Sequence, residues 1–137
     1  MTMQSRQANV YQKTAVYSGT MDADPHSLIT QMLDGALTRI AQGKGSMLRK
    51  DIKTKAELIS KAITIIGSLE GCLDHDVGGE LSQNLSKLYE YMCLTLTQAN
   101  INNDTAKLDE VSKLLLTIKS GWVQIPEEFK TPSIPQG

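Results

Sequence analysis

From Ile29 the apolar residues Leu33, Ala36, Ile40 and Met47 return at helical spacing and share one face. Asp24 can accept a first-turn N–H, and Pro25 suits the first helical position, so a helix is predicted to start there. Asp34-Gly35 is a strong turn dipeptide, but the phase runs through it and past Gly43 and Gly45. A reversal at residue 35 would break that register, so the turn signal loses. Each interior glycine costs about 1 kcal/mol relative to alanine, which weakens the C-terminal half of this helix. Arg49 and Lys50 suit its negative end.

A second helix starts at Asp51 or Thr54, where Thr54 and Glu57 match a capping box, and runs to Leu73. Residues 75–79, HDVGG, break the chain. The third helix follows from Glu80 with Leu81, Leu85, Leu88, Met92 and Ala99 in phase. Asn102-Asn103-Asp104 turns and caps, and the fourth helix carries Leu108, Val111, Leu115, Ile118 and Trp122. Four helices of about 20 residues joined by short turns predict an all-α, antiparallel up-down four-helix bundle over 24–125. Residues 1–23 form an N-terminal segment expected to pack on the bundle, and 126–137, with Pro126, Pro132 and Pro135, a flexible tail.

The second helix carries more apolar surface than one core contact requires. Ile52, Ala56, Ile59, Ile63, Ile66 and Leu73 form one stripe, and Leu58, Ala62, Ile65, Leu69 and Cys72 another. At about 100° per residue the two cover roughly 200° of arc. Either the helix is central, touching two neighbours, or the outer stripe receives a further chain segment. Tyr91 and Leu94 likewise fall off the core face of the third helix. Gly35 lies beside Leu28 and Met32, where a missing side chain allows close approach of another chain. Val10, Tyr11, Val16 and Tyr17 of the leading segment can supply that contact on the outside of helices 1 and 2, although a fit between helices 1 and 4 is equally simple.

Composition narrows the function by exclusion. The 137 residues suffice for one domain burying roughly two-thirds of its unfolded surface. A net charge of -1 gives no excess of either sign to drive binding to nucleic acid or an anionic membrane. The first residues lack the apolar region of a signal peptide, and no run approaches membrane-spanning length, so the chain reads as cytosolic without membrane insertion. Cys72 and Cys93 sit in apolar helical patterns without metal-ligand spacing and read as buried reduced thiols. His26 falls in a first turn and His75 in a loop, and no phosphate loop, nucleophile triad or paired-carboxylate site stands out. Neither catalysis nor a cofactor nor a metal is expected; the chain reads as a binding protein.

The residues Asp24-Pro25-His26-x-Leu28-Ile29, with Leu33-Asp34-Gly35-Ala36, resemble the opening of the flagellin-specific export chaperones. So do Ser60-Lys61-Ala62-Ile63-x-Ile65-Ile66, Asn84-Leu85-Ser86-x-Leu88-Tyr89-x-Tyr91-Met92 and Gln98-Ala99-Asn100-x-x-Asn103-Asp104, with Glu110-Val111 and Trp122 completing the series. Asp24 replaces the usual Ser cap, and Leu33 the common aromatic before Asp-Gly. The resemblance implies a bacterial cytoplasmic bundle that binds the disordered C-terminal segment of flagellin, prevents premature polymerisation and delivers it to a flagellar export gate component. Taken with the spare stripe of the second helix, the off-core positions of the third and the surroundings of Gly35, it leads to Tyr11, Gln12, Leu28, Met32, Leu58, Ala62, Ile65, Leu69, Tyr91 and Leu94 as the flagellin-binding set. The competing readings are a histidine phosphotransfer bundle, which needs an exposed mid-helix histidine, and a structural helical homodimer.

Overall fold

The computed structural model describes residues 24–124. Four helices follow one another: α1 (Pro25–Leu48), α2 (Ile52–Gly71), α3 (His75–Asn102) and α4 (Thr105–Gln124). Both α1 and α3 pack on α2 and on α4, which places the helices at the corners of a square. Cross-helix contacts fix the directions. The Lys55 ammonium near the start of α2 meets Asn100 near the end of α3, and Trp122 near the end of α4 meets His26 at the start of α1. Neighbours therefore run antiparallel, as the short connections require. Among the described residues no helix is long and apolar enough to cross a membrane.

The caps are carboxylates. Asp24 accepts the Ser27 N–H at 2.7 Å, Asp51 that of Thr54 at 3.3 Å, and Asp74 those of Asp76 and Val77. Asp51, not Thr54, thus starts α2. Residues 75–78 make one turn, then Gly79 breaks the helix with φ 55° and ψ -126°, a conformation that needs glycine. The expected break at 75–79 is therefore present at Gly79, where the single turn 75–78 meets the long helix that runs on from Glu80; α3 denotes the two together. Asn103, left-handed at φ 52°, closes α3.

The uninterrupted phase of α1 holds: Leu33, Ala36, Ile40 and Met47 are buried, and Ile29 is half-buried against them. Gly43 is where two helices approach closely. A Cβ there would stand 3.2 Å from Ile59 Cγ1 and 3.6 Å from Leu58 Cβ, both on α2. At Gly35 it would meet Ile65 Cδ1 at an ordinary 3.5 Å, so the nearest described neighbour of that glycine is also α2. Among the described residues the tight approach is at Gly43, eight residues later, and the leading segment read against Gly35 lies outside them.

Acid acts on this fold in two opposite directions. The Ser27 N–H holds Asp24 below its ordinary value of 3.8, and the Thr54 hydroxyl and N–H do the same for Asp51. Groups lowered in the folded state stabilise it above their ordinary value, and that contribution is lost as pH falls through the lowered one. Glu90 is raised from 4.5, first by its hydrogen bond with Glu70 and then by that group's charge. Its contribution is complete below 4.5 and lost as pH rises through the raised value. Glu90→Gln is expected to raise the Tm at neutral pH by removing carboxylate repulsion, with the gain vanishing below pH 4.5. A gain that is equal at both ends of the titration would show that charge at Glu90 is not the cause.

Candidate functional site

The two stripes of α2 do not divide into an inner and an outer one. Its buried line is Lys55, Ile59, Ala62, Ile66 and Leu69, which draws from both. Ala62 and Leu69, nominated for the binding surface, are core residues with 0% and 2% exposure. Leu58 and Ile65 are half-buried on one side of that line, and Ile63 on the other. Ile52, assigned to the inner stripe, is exposed. The physical reason is that α2 touches both α1 and α3, so the wide arc is used by two neighbours. A charge at Ile65, which packs on the core and faces Gly35, would therefore damage the fold as well as any surface.

On α3 the core is Tyr89, Met92, Thr95, Leu96 and Ala99; Leu81, expected inside, is exposed. What remains outside is a row at helical spacing: Tyr91, Leu94 and Ile101, 45%, 57% and 72% exposed. The Tyr91 hydroxyl donates to Glu110 across the α3–α4 seam, which pins the ring and raises its pKa above the ordinary value, the hydrogen bond being the main cause. Beyond Glu110, α4 lines an open depression with Ala106, Asp109, Ser112, Lys113 and Leu116, and Leu116 is exposed. Lys44 pairs with Asp109 at 2.9 Å, and Lys119 with Asp34 at 2.5 Å, so polar contacts join α4 to α1.

Leu28 and Met32 are half-buried on the first turns of α1, away from the row on α3. Tyr11 and Gln12, the segment 1–23 and the tail 126–137 lie outside the described residues. The nominated set is thus not one continuous patch among those described; Tyr91 and Leu94 are its exposed members. Ile101 and Leu116 were missed by the sequence reading, although spacing from Leu94 places Ile101 on the same face.

Little else at the surface offers chemistry. His26 stacks on Trp122 with ring centroids 5.4 Å apart, and its carbonyl accepts the indole N–H at 3.2 Å. His75 is the first residue of α3. Neither stands exposed midway along a helix, as phosphotransfer would need. Among the described residues no group of three or more His, Cys, Asp or Glu is placed to hold a metal ion.

Both cysteines are free, but the expectation that both are buried fails at Cys72, which is exposed because it lies just past the end of α2. Cys93 is half-buried, with its thiol directed at the Ile63 carbonyl at 3.8 Å. Partial desolvation by neighbouring atoms raises both thiol pKa values, at Cys72 despite its solvent-exposed side, and nearby Glu70 and Glu90 raise Cys93 further. Tyr89, buried beside Cys72, is pushed up to about 12, mainly by burial. A thiol reagent is expected to label Cys72 promptly in the native bundle and Cys93 slowly, with both rates rising toward alkaline pH as thiolate forms. Equal slow labelling, followed by mass spectrometry, would contradict the exposure of Cys72.

Comparison with known proteins supplies what the site geometry alone does not. The family model described as flagellar protein FliS matches residues 6–128. The flagellar secretion chaperone FliSB of Pseudomonas aeruginosa is 52% identical over 112 residues, covering 82% of this chain and 89% of that protein. The flagellar secretion chaperone FliS of Vibrio cholerae is 41% identical over 119 residues, 87% of this chain and 88% of the relative. That of Escherichia coli is 35% identical over 127 residues, 92% and 91% of the two chains.

Proposed function

The chain belongs to the family of the flagellar protein FliS, which makes it a flagellar secretion chaperone and not an enzyme, and from that premise we propose that its cargo is flagellin. The chaperone binds the disordered C-terminal segment of flagellin in the bacterial cytoplasm. It keeps that segment from polymerising early and hands it to a component of the export gate. The observation that carries this reading is the exposed row Tyr91, Leu94 and Ile101 on a helix whose opposite face already completes a core. Apart from the Tyr91–Glu110 hydrogen bond this row adds nothing to the core, and an amphipathic helix with anchors three, four and seven residues apart fits it. Tyr91, held by Glu110, offers a fixed aromatic surface at little further entropic cost.

Ordering a disordered cargo segment costs several kcal/mol, so the wrapped surface must extend beyond one row. Half-buried Leu28, Met32, Leu58 and Ile65, on α1 and α2 and apart from the α3 row, are the further positions we assign to it, with Tyr11 and Gln12 in the segment preceding α1. Ala62 and Leu69 act behind that surface as core. The test is co-purification with full-length flagellin and with flagellin lacking its C-terminal segment. Capture of the first and loss of the second is the expected result; equal capture of both would place the cargo site elsewhere on flagellin.

A further inference from the structure

Charge is sorted along the bundle axis, although the whole chain carries only -1. Residues 40–61, around the α1–α2 turn, hold six lysines and arginines against Asp51 and Glu57. Residues 62–86, around the α2–α3 turn, hold none, and Glu70, Asp74, Asp76 and Glu80 stand unopposed there. The basic end is also the closed one: at the α1–α2 and α3–α4 turns Met47, Lys55, Leu96, Ala99 and Leu108 are all buried. Beyond that last layer the first turn projects. Residues 48–53 are all exposed, and Leu48 and Ile52 among them are large apolar side chains 67% and 66% exposed. Both anions of this end are caps. Asp51 accepts the Thr54 N–H and Asp104 those of Ala106 and Lys107, beside the positive ends of α2 and α4. Among the described residues no ion pair holds Lys50 or Lys53.

We propose that the turn 48–53 is a docking tip for an anionic membrane surface, with Arg49, Lys50 and Lys53 among lipid phosphates and Leu48 and Ile52 at the headgroup–acyl boundary. The backbone of Lys50 supports a use for its side chain. The Lys50 N–H donates to the Met47 carbonyl at 3.1 Å and the Asp51 N–H to that of Ser46 at 2.9 Å, a helix ending whose left-handed position glycine normally fills. Lys50 fills it at φ 63°, where a side chain is strained. Asn103, the other left-handed residue of this end, has its side chain bound by Lys55. A projecting turn meets a plane and leaves no concavity for a peptide to fill. Lipid also supplies both halves of the match at once, phosphate charge outside and hydrocarbon beneath. The acidic opposite end is repelled, which stands the bundle on its tip and leaves the α3 row free at the side. Three cations and two apolar side chains give weak, reversible binding, which suits a secretion chaperone that must reach a membrane and leave it again.

Flotation of the full chain with phosphatidylglycerol–phosphatidylethanolamine vesicles, in the absence of flagellin, is the test. Binding is expected there and not on neutral phosphatidylcholine, and it should weaken as salt is raised. Lys50→Glu combined with Lys53→Glu should lower it by at least about tenfold. Leu48→Ser combined with Ile52→Ser should lower it about tenfold, with helical content unchanged because both side chains are exposed. Lys61→Glu reverses a charge about 13 Å further along α2 and should leave binding within about twofold. Absence of binding to the anionic vesicles, or an equal loss in Lys61→Glu, overturns the proposal. So does equal binding to polyglutamate that ignores the serine changes, which would make the tip a site for an acidic protein. Concentration-dependent mass in sedimentation that the tip variants lose would make it a contact between copies, and overturns it too. Flagellin capture should be the same in every variant, so the cargo reading and this one fail separately.

Discussion

Leu94→Asp is expected to lower affinity for the flagellin C-terminal segment by about tenfold to a hundredfold while leaving the melting temperature near the parent value. The side chain is 57% exposed in the free chaperone, so the fold has little to lose. Covering a leucine with a partner contributes about 1.5–3 kcal/mol, and each 1.4 kcal/mol is about tenfold in affinity. The aspartate adds the cost of desolvating a charge, which moves the expectation toward the larger figure. Calorimetric titration with the flagellin segment, set beside thermal unfolding, separates the two effects. Ile66→Asp, in the core, must lose both properties together. Unchanged affinity in Leu94→Asp with intact folding would remove the α3 row from the cargo surface.

Why the helices were legible and the site less so follows from what each depends on. The phase of α1 survives Asp34-Gly35 because Leu33, Ala36 and Ile40 all face one core, and burial repeated over several turns outweighs one turn-forming pair. Asp24 and Asp51 announce their helices because a capping carboxylate acts within three residues. The surface depends instead on which neighbour covers each degree of helix, and that is a tertiary property. Ala62 and Leu69 belong to a stripe that spacing alone sets beside Ile59 and Ile66, and only contact with both α1 and α3 puts them inside. Leu81 keeps the phase of α3 but precedes the point where neighbouring helices close over it, just after the kink at Gly79. Tyr91 and Leu94 were legible as off-core positions because both lie more than a quarter turn from Met92, whichever neighbour α3 meets.

Lys55→Ala is expected to destabilise the bundle by about 2–4 kcal/mol, the largest effect of any single polar change at its closed end. Nothing in the sequence marks this lysine, since a charge between Ile52 and Ile59 reads as a solvated position. The structure buries it to 4% exposure. Its ammonium donates to the Asn100 carbonyl at 2.8 Å and to Asn103 Oδ1 at 2.6 Å. Asn103 is the left-handed residue that ends α3, so one side chain ties the first turn of α2 to the reversal leading into α4. Alanine leaves both acceptors without their charged donor and opens space along the lost stem. Lys55→Met separates those terms, because it keeps most of the stem and loses only the hydrogen bonds. It should cost about 1–3 kcal/mol, less than alanine but clearly more than nothing. Urea unfolding is the measurement, with a lowered midpoint and an unchanged slope as the expected signature. If Lys55→Met is as stable as the parent, desolvating the ammonium cancels its two hydrogen bonds, and the tie between α2 and the α3–α4 turn rests on packing alone.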